Sequence, residues 1–151
     1  MVEKHGNYSN IEEWKDASGI KLASEYGQYD KVENKKISLY NPGHMPSHFR
    51  MKLTPNDKGK IPEGRLDLDT SSLVWEEMEL KGSDVYVVID TKLNLIEGYK
   101  EDNTKSGKIY NEHITDGTFF KIPIDMIEGK NIMDAAGIEA GTVIEYDYYY
   151  L

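Results

Sequence analysis

Asp67 and Asp69 are two residues apart, so on an extended strand both carboxylates project from the same side. Together with Glu76, Glu77 and Glu79 they could share a divalent cation, and a cation held by carboxylates activates water, the chemistry of a small metal-dependent hydrolase. The plainer reading of the same residues is the solvated face of a strand. His44 and His48 have the spacing of two zinc ligands on one helical face, but Pro42, Gly43 and Pro46 argue for a loop there. Asp90 closes the apolar run 85–89, the place of a nucleophilic aspartate in phosphotransfer folds, yet no second aspartate follows at the needed spacing.

The familiar catalytic patterns are missing. There is no Gly-x4-Gly-Lys-Ser/Thr loop, no Gly-x-Ser-x-Gly elbow and no His-Glu-x-x-His, and the four histidines are scattered. Without cysteine the chain has no disulfide framework, thiol nucleophile or thiolate metal site. No cofactor is expected, and binding is favoured over catalysis. Eleven tyrosines against three phenylalanines point the same way, because tyrosine joins a large apolar area to a polar tip and is enriched where proteins meet. Tyr146, Tyr148, Tyr149 and Tyr150 crowd the C-terminal end of the sequence. The expected binding residues are therefore Asp67, Asp69, Glu76, Glu77, Glu79 and these four tyrosines. In the competing reading, Tyr146, Tyr148 and Tyr150 cover one face of a last strand and Tyr149 lies opposite.

The elements that must position these groups are mostly strands. A chain of 151 residues, 38% hydrophobic and 30% charged, suits one folded domain over 1–151, with an internal boundary, if any, in the Pro- and Gly-rich stretch 55–64. Ser9 with Glu12, or Asn10 with Glu13, makes a capping box for a short N-terminal helix that Gly19 would end. Alternating apolar and polar residues predict strands over 36–40, 48–53 and 65–69. Segments 72–80 and 85–89 flank the turn 81–84 as a hairpin, with a short helix as the alternative for 72–80. Segments 93–99 and 108–113 form a second hairpin around the polar loop 101–107. The C-terminal part reads as a strand over 118–123, a helix over 124–136 capped by Gly137, and a strand over 142–148. The expected fold class is α+β, a mostly antiparallel sheet with an N-terminal short helix and a C-terminal β-α-β segment.

Phe120-Lys121-Ile122-Pro123, Ala136-Gly137-Ile138 and Gly141-Thr142-Val143-Ile144-Glu145-Tyr146 follow one another as strand end, helix cap and closing strand would. In this order, residues 117–146 resemble the swapped-hairpin module of AbrB, MazE and SpoVT-type transcription factors. The resemblance implies a homodimer and nucleic-acid binding.

Charge favours a different partner. Residues 1–66 hold 11 Lys/Arg and 9 Asp/Glu, and residues 67–151 hold 7 and 18, so the net charge of −9 resides in the second part. Such a surface repels phosphates and attracts basic proteins. The leading expectation is a non-enzymatic acidic protein-binding module: a phage-type inhibitor or nucleic-acid mimic, anti-defence or anti-CRISPR-like, acting on a basic nucleic-acid-binding or defence protein. Direct binding of nucleic acid, AbrB-like or single-stranded with tyrosine stacking, is the alternative, and needs a patch drawn from Lys31, Lys35, Lys36, Arg50, Lys52, Lys58 and Lys60. No apolar run has the roughly 18 to 20 residues that span a bilayer and no signal-peptide-like region opens the sequence, so the expected location is cytoplasmic, with no membrane partner.

Overall fold

The computed structural model describes residues 2–3, 28–124 and 131–149. Every strand pairing in it is antiparallel, and the strands form two main sheets. The six-stranded sheet runs β11 (Lys105–Ile109), β10 (Leu95–Tyr99), β9 (Tyr86–Asp90), β4 (Phe49–Leu53), β14 (Val143–Tyr146) and β2 (Gln28–Lys31). The five-stranded sheet runs β12 (Ile114–Gly117), β7 (Ser71–Trp75), β6 (Gly64–Leu68), β13 (Asn131–Ala136) and β3 (Lys36–Leu39). Two short ribbons complete it: β1 (Val2–Glu3) pairs with β15 (Tyr148–Tyr149), and β5 (Lys60–Ile61) with β8 (Met78–Glu79).

The period-two pattern explains the packing. Ile37 and Leu39 on β3, Leu66 and Leu68 on β6, Leu73 and Trp75 on β7, and Met133 and Ala135 on β13 point to one side of the five-stranded sheet. They join Phe49, Met51 and Leu53, Val87 and Ile89, Ile96, Ile144 and Tyr146 of the other sheet in one buried cluster, so the two sheets pack face to face as a sandwich. Each fully buried aliphatic or aromatic side chain of that interface contributes about 1.5–3 kcal/mol. The sheets are joined at β2 and β3 by a two-residue turn, with Glu33 and Lys36 exchanging both backbone hydrogen bonds (2.8 and 3.0 Å). Asn34 and Lys35 at its tip both have positive φ, +50° and +62°, the geometry of a type I′ hairpin.

Several expectations from sequence need correction. The fold is not α+β: among the described residues there is no α-helix, and only Asn111–His113 make a 3-10 turn. The expected helix over 124–136 fails because Asn131–Ala136 form β13, held between β3 and β6. Met133 and Ala135 face the core while Asp134 and Ile132, 47% exposed, face out. Residues 118–123 supply one isolated bridge, Ile122 to Ser47, instead of a strand, so among the described residues the C-terminal segment is not β-α-β; residues 125–130 of the expected helix lie outside them. Segment 72–80 splits into β7 and β8 with no helix, and β8 turns to β5 while β9 pairs with β10 and β4, so the turn 81–84 does not close a hairpin. The second expected hairpin is present with other bounds: β10 and β11 pair around a turn at 100–104, so 105–107, read as loop, are strand, and 111–113, read as strand, are the 3-10 turn. The expected N-terminal helix lies outside the described residues. No helix among the described residues is long and apolar enough to cross a membrane.

Candidate functional site

The five carboxylates singled out from sequence fall into two groups. β6 and β7 form a hairpin in which Leu68 faces Ser71 at the tip and Gly64 faces Trp75 at the base. Asp69 is exposed in the tip turn with φ +54°. Asp67, half-buried, accepts two hydrogen bonds from Arg65, from Nε at 2.6 Å and Nη2 at 3.0 Å. This contact, with Asp116 nearby, raises the guanidinium's pKa further. Glu76, Glu77 and Glu79 lie beyond the other end of β7, about 17 Å from the tip at roughly 3.3 Å per residue. There Lys60 Nζ lies 3.5 Å from both Glu77 and Glu79, and His113 Nδ1 is 3.1 Å from Glu76. Among the described residues no three His, Asp or Glu side chains are grouped to hold a metal ion.

The tyrosines divide by depth. Tyr146 and Tyr148 are buried core residues, packed against each other with ring centroids 6.1 Å apart, so they present no surface. Burial and the adjacent Asp30 carboxylate, which accepts a hydrogen bond from the hydroxyl, raise the Tyr146 pKa. Tyr149 is half-buried with its hydroxyl 3.3 Å from Asp147, and Tyr150 lies outside the described residues. His44 is exposed in a loop. His48 is half-buried, and burial, followed by the charges of Lys121 and Lys92, lowers its pKa below 6.5.

The basic residues that a nucleic-acid surface would need differ in exposure: Lys31, Lys35, Lys36 and Lys58 are exposed, Lys60 is half-buried, and Arg50 and Lys52 are buried. The outer side of the six-stranded sheet places Glu145, Arg50 and Asp90 opposite one another on β14, β4 and β9. Arg50 Nη1 meets Glu145 Oε1 at 3.0 Å, Nη2 donates to the Tyr99 hydroxyl at 3.0 Å, and Nε lies 3.8 Å from Asp90. One step along β4, Lys52 sits 4.2 Å above the Tyr86 ring, which stacks on Tyr99. Arg50 and Lys52 are 2% and 6% exposed. Lys36 is paired with Asp134 at 2.8 Å, and Lys60 with its two glutamates.

A cleft of about 460 Å³ opens at one end of the sandwich. Its floor is Leu53, Ile61, Trp75 and Ile138, flanked by Pro55 and Pro62; its rim carries Lys35, Asn56, Asp57 and Glu139. Gly64 faces Trp75 across the hairpin, and a Cβ there would lie 2.4 Å from the indole, so only glycine lets the ring lie across β6. The indole Nε1 donates to the Pro62 carbonyl at 3.1 Å. Asn56 fixes the β4–β5 wall by accepting from the amides of Lys58 and Lys60 at 3.0 and 3.1 Å. The opposite wall is tied to Val32, the residue after β2, by Gly141 N to Val32 O and Val32 N to Thr142 O, both 2.9 Å. These bonds make the cleft pre-formed, within the size range of ligand and side-chain pockets. The stretch 55–64, a boundary candidate by its prolines and glycines, instead lines the cleft, and neither Trp75 nor Ile138 is marked as a binding residue by the sequence; Ile61, an apolar residue between Pro55 and Pro62, is the signal that this stretch turns inward.

No known protein family, no curated protein and no solved structure matches the chain.

Proposed function

We propose that this protein is a non-catalytic binding module that presents an acidic surface to a basic, nucleic-acid-binding protein partner and so acts as an inhibitor or nucleic-acid mimic. The observation that carries the reading is the fate of the cations. Of the seven basic residues that a nucleic-acid patch would draw on, Arg50 and Lys52 are buried, Lys36 and Lys60 are paired with carboxylates, and Lys31, Lys35 and Lys58 are exposed. Glu76, Glu77, Glu79, Asp69, Asp57 and Glu139 meanwhile stay at exposed positions. A field of that sign steers basic partners toward the protein and repels phosphate. Asp67 and Asp69 stand apart from Glu76, Glu77 and Glu79, which favours the binding reading over the hydrolase one.

The test is capture from lysate on immobilised protein at low and high salt, with and without nuclease, and with duplex DNA as competitor. The expected result is a basic nucleic-acid-binding protein that is retained after nuclease treatment, released by salt and displaced by the duplex. Capture that disappears with nuclease would instead mean direct nucleic-acid binding.

A further inference from the structure

We infer that the cleft at the end of the sandwich is the anchor point for that basic partner: it takes one apolar side chain of an extended segment, with the flanking cationic side chains held by Asp57 and Glu139. The inference rests on the proposed function and adds to it a place and a chemistry. Carboxylates alone give long-range attraction with little specificity, whereas binding energy concentrates where an apolar group enters a desolvated pocket ringed by polar contacts. The cleft has that form. Leu53, Ile61, Trp75 and Ile138 make an apolar floor inside walls fixed by backbone hydrogen bonds, so a guest orders itself without first ordering the host.

The rim fits a basic segment. Asp57 and Glu139 are both exposed, stand on opposite loops, and are not ion-paired among the described residues. Among the described residues Lys35 is the one lysine lining the cleft, and its three N–H donors suit the main-chain carbonyls of an extended guest. It is also held in a conformation that glycine adopts with less strain: φ is +62° at the second tip position of a type I′ turn, directly after Asn34. A lysine kept where Asn-Gly would turn more easily is a strained residue bordering a cavity, a combination that belongs to function more than to folding.

The probes are three capped peptides, Arg-Leu-Arg, Arg-Ala-Arg and Glu-Leu-Glu, titrated into the uniformly ¹⁵N-labelled full chain and followed by amide shifts. Arg-Leu-Arg should move the amides of residues 54–57 and 138–142, and Arg-Ala-Arg should bind about tenfold more weakly, the loss expected for the missing apolar atoms. Glu-Leu-Glu should not bind. Asp57→Lys with Glu139→Lys should weaken Arg-Leu-Arg several-fold at low salt and little at high salt. Lys35→Gly should weaken it while leaving the protein at least as stable, which separates a lost contact from a lost fold. If the arginine peptides shift amides near Glu76, Glu77 and Glu79 instead, with no difference between leucine and alanine, the cleft is not the anchor although the acidic reading stands. If they shift nothing at millimolar concentration the anchor is refuted, and the acidic reading is then decided by the nuclease arm of the capture experiment.

Discussion

Arg50 shows how a single residue can be read correctly by pattern and wrongly by environment. In Phe49–Leu53 the alternation Phe-Arg-Met-Lys-Leu announces a strand with Arg50 and Lys52 on the face away from the core, which is where they are. Alternation does not say that the second face is wet, and here all five residues are buried. The sequence contains no local mark of this, because the groups that accept Arg50 come from positions 90, 99 and 145, and are brought together only by strand pairing. Buried charges in such a row add little net stability compared with apolar residues of the same shape, yet removing one leaves the others uncompensated. Arg50→Met is therefore expected to cost about 3–5 kcal/mol, read from the denaturant midpoint, and adding Glu145→Gln to it should return part of the loss. An Arg50→Met variant as stable as the parent would mean that the row contributes no electrostatic compensation.

At the scale of elements, what could be read was local and what was missed was partnership. β3, β4, β6, β9 and β10 are visible in the sequence because each is a short alternating or apolar run bounded by turn residues. β13 was hidden by its composition: Met, Ala and Ala are good helix formers, Pro123 and Gly137 frame a helix-sized interval, and Ile132 lies on the wet side of the strand where a polar residue would have revealed the period of two. Sheet context overrode propensity there. Gly137 was rightly singled out as left-handed, with φ +78°, but it ends a strand and not a helix. It also permits a close approach, since a Cβ on it would lie 2.4 Å from the Glu63 carbonyl oxygen and 3.2 Å from Gly64 Cα, both backbone atoms that cannot swing aside. Gly137→Ala combines unfavourable φ with this collision, so a loss of at least about 2 kcal/mol is expected by chemical denaturation. Gly141, with φ +89° and open space around it, serves as the control: Gly141→Ala should show the conformational penalty alone, on the order of 1 kcal/mol.

At the scale of the whole molecule, the charge distribution makes salt act in opposite directions on the protein and on its complex. The chain carries a net charge of −9 over 151 residues, and self-repulsion of that kind is relieved by screening. Raising salt from about 0.1 M to about 1 M shortens the screening length from about 10 Å to about 3 Å, enough to quiet repulsion between separate loops. Close contacts such as Arg50 with Glu145, being buried, are screened much less. The thermal midpoint of the free protein should therefore rise with sodium chloride, measured by circular dichroism or calorimetry. The proposed complex depends on attraction between opposite surfaces and should weaken over the same range. This divergence gives the salt experiment its meaning, because a partner released from a protein that has become more stable has lost an electrostatic contact and not its binding surface. A midpoint that falls with salt would show that exposed pairs such as Lys36 with Asp134 outweigh the repulsion, and release of the partner would then have to be separated from unfolding before it could count for an acidic interface.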